Sequence, residues 1–334
     1  MRRTLKYIRH SLTLIAFISL VLAASTECRG QADLMYTQQW ALPTLYNPAA
    51  TGETDYIRIR GGARLQWLGI QNAPKNFVAT GDSPFVVMNK RIGAGLTVSQ
   101  ESIGLFSNLL IGAQGSYKLN ILKERFSLGL QLAYYNTKFK GSETYVPDGD
   151  DYHQPNDPSI PTQDMTGNAF DISFGAFYSN KLFHVGISGM HLTNPTVKLK
   201  KEGTESTDMQ EYETKLPTSI YFDAGCNIDL SNTLFTLQPS LFLGTDLSEL
   251  SAELDIRATY NRFLTFGLGY RWNDAVCVMI GAEFKNFFIG YAFDYPTSSL
   301  GKASAGSHEI VAGYQLKLDL SGKNTHSQRS IRIM

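Results

Sequence analysis

Residues 249–261 of the chain, Glu-Leu-Ser-Ala-Glu-Leu-Asp-Ile-Arg-Ala-Thr-Tyr-Asn, alternate polar and apolar side chains without a break. Every second residue from Glu249 onward is polar or charged, and every second residue from Leu250 to Tyr260 is apolar. Because successive side chains of a β-strand point to opposite faces, this pattern predicts a strand with one wet face and one apolar face. Similar alternation occurs at residues 56–67, 106–119, 125–138, 264–273, 276–285 and 309–319.

The number and length of these runs favour a membrane barrel. About fourteen runs are present, and they average the ~10 residues that a tilted strand needs to cross a bilayer, against ~5–6 in soluble sheets. Tight turns are predicted at 180–181, 231–232, 261–262 and 285–286, and long polar connections at 139–167, 194–215 and 296–306. Each long connection follows an odd-numbered strand, which places all of them at one end. We predict an all-β protein, an antiparallel transmembrane outer-membrane β-barrel of about fourteen strands.

The two faces of the predicted strands carry different residue types. The outward rows contain aromatic residues typical of a membrane-interface girdle, namely Trp67, Tyr134, Tyr260, Trp272 and Tyr295. The inward rows carry charges of both signs, namely Arg58, Arg60, Arg64, Glu253, Asp255, Arg257, Arg271 and Glu283. The core of a soluble β-sandwich would not accept so many charges, so that alternative is disfavoured. In a narrow lumen they are expected to pair with one another or to surround a polypeptide segment. The segment 33–55, with Trp40 and Tyr46 as apolar anchors, could plug the barrel in this way or hold a periplasmic partner.

The chain begins with the features of an export signal. Basic residues precede an apolar run at 12–24, which has the length of a signal-peptide core, and a cut is predicted before Gln31 or after Ala32. We therefore predict a signal peptide at 1–30, a periplasmic N-terminal segment at 31–54, a transmembrane barrel at 55–320 and a periplasmic C-terminal tail at 321–334. The N- and C-termini are both expected in the periplasm, since an even number of strands returns the chain to its starting side.

Few features of the sequence indicate catalysis, metal binding or nucleic-acid binding. The 334-residue chain has 30 basic and 30 acidic residues, without the basic excess of a nucleic-acid-binding protein. It lacks the HExxH, GxSxG, Walker and GxGxxG motifs. The acidic loop at 148–157 could hold calcium, but it lacks the Gly and Glu of an EF-hand, so a solvated loop is the favoured interpretation. Cys226 and Cys277 fall on opposite faces, which argues against a disulfide. We predict a protein that is not an enzyme and has no cofactor or metal.

Both ends of the predicted mature chain carry a recognisable pattern. Gln38-Gln39-Trp40, Pro43, Leu45-Tyr46-Asn47-Pro48-Ala49 and Gly52 resemble the start of the PorP/SprF family, and Gly306-Ser-His308-Glu309-Ile310 with Gly313-Tyr314 resembles its last strand. The resemblance implies an outer-membrane barrel of Bacteroidota that serves type IX secretion and gliding motility. It also implies partners, namely a large secreted surface protein or adhesin and periplasmic components such as a peptidoglycan-binding OmpA-like lipoprotein, besides the outer-membrane lipid.

Three functions from different classes stay open at this point. The first is a non-enzymatic component that supports secretion or surface attachment of a partner protein, and the resemblance favours it. The second is a diffusion porin or outer-membrane solute transporter, which barrel architecture alone would equally allow. The third is an outer-membrane lipase or protease, for which no triad pattern is found.

Overall fold

The computed structural model describes residues 35–88, 90–121, 124–144, 162–201 and 212–319. The predicted signal peptide (1–30), the C-terminal tail (321–334) and the acidic loop (148–157) lie outside these residues. Within the described part, the chain is almost entirely β-strand after residue 55.

Seventeen strands follow one another along the described residues. They are β1 Tyr56–Leu65, β2 Lys75–Val87, β3 Lys90–Ile103, β4 Phe106–Ile121, β5 Glu124–Phe139, β6 Met165–Ser179, β7 Phe183–Met190, β8 Thr196–Lys201, β9 Tyr212–Lys215, β10 Ser219–Cys226, β11 Ile228–Asp229, β12 Phe235–Thr245, β13 Leu250–Tyr260, β14 Leu264–Arg271, β15 Ala275–Phe284, β16 Phe287–Pro296 and β17 Ser307–Lys317. Short 3-10 turns occupy Gln39–Ala41, Pro48–Ala50, Gly141–Glu143 and Ser299–Lys302, and one helix, α1, spans Pro43–Tyr46.

Fourteen of these strands form a closed antiparallel barrel, which confirms the predicted fold. Each wall strand pairs with the next along the chain, and β17 returns to pair with β1 from Tyr56↔Lys317 to Leu65↔His308. The remaining three strands are additions to the wall. The β8–β9 hairpin extends the connection between β7 and β10, and the short β11 pairs with β12. Closure leaves no wall strand with an unpaired edge.

The connections divide the barrel into two different ends. The connections from β5 to β6, from β7 to β10 and from β16 to β17 begin and end at the same end of the barrel, here called the long-loop end. Short turns such as 261–263 and 285–286 lie at the other end, together with Tyr56 and Lys317, and it is called the short-turn end. This matches the arrangement of outer-membrane barrels, in which short turns face the periplasm.

The outer face of the wall is apolar, as the alternation predicts. Leu130, Leu254 and Leu268 are exposed on it, with Leu254 at 65%. Trp272 and Tyr295 are also exposed, near the long-loop end. In water such a face would be costly, whereas in lipid it is the favourable surface. None of the helices among the described residues is long and apolar enough to cross a membrane.

The first strand is shorter in the structure than the alternation of the sequence predicts. The alternation extends the strand to Trp67, but β1 stops at Leu65, and Trp67 has a φ of 49°. A positive φ is incompatible with extended backbone, so Trp67 belongs to the connection that follows.

Candidate functional site

The lumen of the barrel is occupied by the chain's own residues 35–54, here called the plug. Met35 lies in the half nearer the long-loop end, in an apolar cluster with Tyr46, Tyr221 and Phe242. The plug folds through two 3-10 turns and α1 and leaves the lumen beside β1 at the short-turn end. Residues 31–54 are predicted as a periplasmic segment that could plug the barrel or hold a periplasmic partner, and residues 35–54 lie within the lumen. The described chain therefore starts and ends in opposite halves of the barrel.

A cluster of buried charges holds the first residues of the plug. It consists of Arg64, Glu253, Arg271, Asp294 and Glu309 and is called the ion cluster. Arg64 pairs with Asp294 at 2.7 Å and with Glu309 at 3.1 Å. Arg271 pairs with Glu253 at 2.6 Å and with Asp294 at 3.3 Å. All five residues are at most 2% exposed, so each charge depends on these partners for its stabilisation.

Main-chain and side-chain groups of the plug complete the ion cluster. The N–H groups of Thr37 and Gln38 each donate to Glu309, both at 2.8 Å. The Thr37 hydroxyl donates to Asp294 at 2.8 Å and accepts from both arginines. The cluster holds two cations and three carboxylates. The plug therefore supplies hydrogen-bond donors where the wall has an excess of negative charge.

Trp40 anchors the middle of the plug. Its ring lies 4.4 Å from the Arg257 guanidinium carbon, and it meets the Phe288 ring edge-on at 5.4 Å between centroids. Gln39 Nε2 donates to Asp255, which also accepts from Arg257. A cation over an indole face contributes about 0.5–2 kcal/mol, more as the pair is desolvated.

Asn47 fixes the return of the plug toward the short-turn end. Its side-chain oxygen accepts from Ala49 N at 2.9 Å, which caps the 3-10 turn that starts at Pro48. Its amide donates to the main-chain oxygen of Ala176 in β6 at 3.1 Å. Pro43 opens α1 in the same way that Pro48 opens its turn, since proline needs no N–H donor at a first helical position.

Glu53 secures the plug at the short-turn end. Its carboxylate accepts from Lys118 at 2.9 Å and Ser127 at 3.0 Å, and it is also bound by Ser179. Burial opposes ionisation of Glu53, but Lys118 and the hydroxyl donors outweigh it and hold the pKa of Glu53 below its ordinary value. Arg91 closes this end, donating to Thr54 O at 2.8 Å.

The inner wall binds the plug largely through main-chain carbonyl oxygens. Along β4, Lys118 donates to Ala49 O, Ser116 to Thr51 O and Gln114 to Thr44 O, at 2.9, 2.6 and 2.7 Å. On β7, Ser188 donates to Tyr46 O at 2.6 Å. This recognition satisfies backbone groups that would be costly to bury unpaired.

Glycines on the wall let the plug approach closely. A Cβ built on Gly129 of β5 would lie 2.2 Å from Ala49 N, and one on Gly93 of β3 would lie 2.1 Å from Thr51 O. Within the plug, Gly52 has a φ of 62° and donates its N–H to Asp82 at 2.7 Å. A larger residue at Gly129 or Gly93 would force the plug away from the wall.

The structure brings together most of the residues singled out in the sequence. The eight predicted lumen charges all lie on the inner face: Arg58 pairs with Asp82, Arg60 lies over Phe288, Glu283 contacts Gln315, and Arg64, Glu253, Asp255, Arg257 and Arg271 are buried around the plug. Of the family-signature residues, Gln39, Trp40, Pro43, Asn47, Pro48 and Gly52 form the plug, and Glu309 binds it.

The other signature residues have different surroundings. Gly313 leaves room for Arg60, because a Cβ on it would lie 2.5 Å from the Arg60 Cδ. His308 is on the outer face, where its ring contacts Tyr291 at 2.7 Å, whereas its neighbour Glu309 faces the lumen. Tyr314 also faces outward, with its ring 4.8 Å from that of Phe287.

Sequence reasoning missed several residues that hold the plug. Asp82 and Asp294 lie at inward positions of β2 and β16, and the alternation of those strands could have identified both. Glu53 and Thr37 gave no such signal, because their partners are distant in sequence. Among the described residues, no group of three or more His, Cys, Asp or Glu side chains has an arrangement suited to a metal ion.

A closed antiparallel barrel with an apolar outer face and a plugged, charged lumen defines an integral outer-membrane β-barrel protein. A profile of the family described as "Type IX secretion system membrane protein PorP/SprF" matches residues 29–314. The chain belongs to this family, so it is a type IX secretion membrane protein of the outer membrane.

Three solved structures align with most of the chain at low sequence identity. The Ralstonia pickettii toluene transporter TbuX has a TM-score of 0.48 and 11% identity, covering 83% of this chain and 93% of that one. The Pseudomonas putida toluene transporter TodX has a TM-score of 0.41 and 10% identity, covering 82% and 94%. Acinetobacter baumannii Omp33 has a TM-score of 0.42 and 9% identity, covering 78% and 97%. No curated protein matches the chain significantly.

Proposed function

We propose that this protein is a non-enzymatic docking barrel of the type IX secretion and gliding machinery, which supports secretion or surface attachment of a partner protein. The observation that carries the proposal is the plug. Residues 35–54 fill the lumen and are bound at three levels, by the ion cluster, by the Trp40 contacts and by the Glu53 contacts. A protein built for diffusion of solutes needs an open aqueous passage, which the plug occupies.

The family supports the secretion role, and the two ends of the barrel suit two kinds of partner. The long-loop end faces the cell exterior in outer-membrane barrels, where a secreted surface protein or adhesin would dock. The short-turn end faces the periplasm, where a peptidoglycan-binding OmpA-like lipoprotein would contact it. In this proposal the barrel joins an external partner to a periplasmic one.

One side-chain group on the inner wall resembles a hydrolase triad in composition but differs in geometry. Asp171 contacts His191 Nδ1 at 2.9 Å, and Ser173 lies nearby. The Ser173 hydroxyl donates toward Asp171 and accepts from the His191 main-chain N–H. A nucleophile would instead be bonded to the imidazole ring, so this group supports the wall and does not favour an enzyme.

Deleting the gene tests the proposal against the porin alternative. We expect loss of surface display or secretion of one particular type IX cargo, with little change in uptake of small solutes. The purified protein should be almost silent in planar bilayers because the plug blocks the lumen. Normal cargo export together with steady open-channel conductance and reduced solute uptake would instead establish the porin.

A further inference from the structure

A small cavity lies between the plug and the wall, on the side of the plug that faces the long-loop end. Tyr36 and Tyr46 of the plug line its floor, and Leu110 and Met190 contribute to its walls. Its volume is about 110 Å³. Sites for whole small molecules usually measure roughly 300–1,000 Å³, so this cavity suits a short piece of a larger ligand.

Two buried donors face the cavity without an acceptor. Gln131 accepts from Gln114 Nε2 at 2.7 Å through its side-chain oxygen, but its own Nε2 has no hydrogen-bond partner among the described residues. The hydroxyl of Thr97 likewise has no partner within the described part of the chain. Both residues are 1% exposed and line the cavity. A buried donor that makes no hydrogen bond costs about 1–3 kcal/mol, and a ligand that supplies an acceptor would recover this free energy.

The two donors lie close together on the wall. The Gln131 side chain extends across Gly112, since a Cβ on that glycine would lie 2.9 Å from the Gln131 Cδ. Gly112 is also the strand partner of Thr97. The glycine therefore directs the Gln131 amide toward the neighbourhood of the Thr97 hydroxyl.

These donors continue a series that already binds main chain. Along β4, Lys118, Ser116 and Gln114 bind carbonyl oxygens of the plug at successive inward positions toward the long-loop end. Thr97 lies on the flanking strand β3, one inward position beyond Gln114, and Gln131 lies directly opposite Gln114 on β5, with its side chain extending across Gly112. The same wall chemistry thus extends past the last carbonyl that the plug supplies on β4.

We propose that Thr97 and Gln131 bind main-chain carbonyl oxygens of a second polypeptide segment, which enters from the long-loop end and rests on Tyr36 and Tyr46. The inference rests on the proposed function in that the segment belongs to the secreted partner. A carbonyl group satisfies donors without adding charge, whereas an anionic group would be repelled by Glu101 at the same cavity. Leu45, Leu110, Met190 and Leu216 form an apolar part of the lining, which suits the side chain of a peptide.

Site-specific cross-linking tests the proposal in the intact protein. A photoreactive benzoylphenylalanine in place of Leu110, in cells, should form an adduct with a partner polypeptide, and mass spectrometry maps the cross-linked segment. A labelled synthetic peptide of that segment then serves as the probe for binding to the purified full-length barrel. We expect Thr97→Val to weaken peptide binding by about three- to tenfold, the factor that one net hydrogen bond contributes.

Matched variants separate binding from folding. Thr97→Ser keeps the hydroxyl and should bind like the native protein, as should Thr259→Val, which removes an inward hydroxyl near the short-turn end. Thr97→Val should unfold at the same or a higher temperature, because the native hydroxyl is unpaired. If Thr97→Val fails to assemble, Thr97→Ala, which also removes the unpaired hydroxyl, provides the same comparison.

Three results would overturn the inference: adducts confined to the chain itself, no adduct at all, or unchanged peptide affinity in the donor variants. These are distinguishable from failure of the proposed function. If gene deletion abolishes cargo display but Thr97→Val binds the cargo peptide normally, the function stands and the cavity assignment is wrong. If deletion leaves every cargo displayed while the donor variants lose binding to a mapped peptide, the proposed function is wrong and the cavity assignment stands.

Discussion

Replacing Arg64 by methionine is expected to shift the plug out of the lumen. In the native structure Arg64 bonds Asp294 and Glu309 on the wall and the Thr37 hydroxyl on the plug, and it is 1% exposed. Without the guanidinium, two buried carboxylates lose a partner while the plug keeps water away from them. Once the plug leaves, water enters and hydrates both carboxylates. The penalty therefore falls almost entirely on the plugged state.

The magnitude follows from the cost of an uncompensated buried charge. Removing one partner of a buried ion pair costs about 3–5 kcal/mol. Since each ~1.4 kcal/mol changes an equilibrium constant tenfold, the ratio of open to plugged molecules should rise roughly 10²- to 4 × 10³-fold. Single-channel recording in planar bilayers measures this rise as the fraction of time that the pore conducts.

A matched control separates loss of the ion cluster from loss of a positive charge in general. Lys181→Met changes a short-turn residue on the barrel surface and should leave the open fraction at its native value. If Arg64→Met were as silent as the native protein, although correctly assembled in the membrane, the ion cluster would not be what retains the plug.

Three further results are expected. Acidification should release the plug, because the pKa of Glu53 is lowered in the folded protein: the stabilisation by its carboxylate is complete above the ordinary value of about 4.5 and is lost as the pH falls below it. Conductance should therefore rise on acidification in the native protein, whereas in Glu53→Gln it should be high at every pH. A native protein that responds to pH no more than the variant does would contradict this. Leu254→Arg, on the lipid-facing row, should destabilise the assembled barrel by about 2–4 kcal/mol, the cost of an arginine at the bilayer midplane. Thr236→Arg, on the inner rim at the short-turn end, should assemble normally. The change in gel mobility on heating, which marks a folded barrel, measures assembly of both variants. A cysteine at Ser142 in a long connection should react with an impermeant thiol reagent on whole cells and one at Lys181 only after lysis; the reverse pattern would invert the proposed orientation.

The wall of the barrel was predictable because its pattern is local. Leu254 and Asp255 are adjacent in sequence and face lipid and lumen respectively. The two-residue period of a strand predicts this difference without any tertiary information. The number of wall strands and the alternation of long and short connections follow from the same period. The position of Trp67 was not predictable in this way, since a single positive φ ends the strand while the apolar pattern continues.

The effect of a substitution at an inward-facing position was less predictable than the facing itself. The alternation by itself predicts that the inward-facing Gln131 and Asp255 tolerate arginine far better than the lipid-facing Leu130 and Leu254. In the structure Gln131 is 1% exposed and bonded to Gln114, and Asp255 binds Gln39 of the plug. Arginine at either position would meet packed polypeptide, so tolerance at inward positions is expected only near the rims.

The sequence by itself determined the class of fold, the facing of each strand and the family, because all three depend on short-range periodicity or contiguous motifs. Only the tertiary structure decided that Trp40, Asn47 and Glu53 lie inside the barrel. Their partners are distant in the chain, as in the contact of Trp40 with Arg257, and no periodic signal links them. The physical reason is closure of the barrel: it brings charges from many strands into one small volume, where they are stabilised only by a segment that supplies the missing donors and counter-charges.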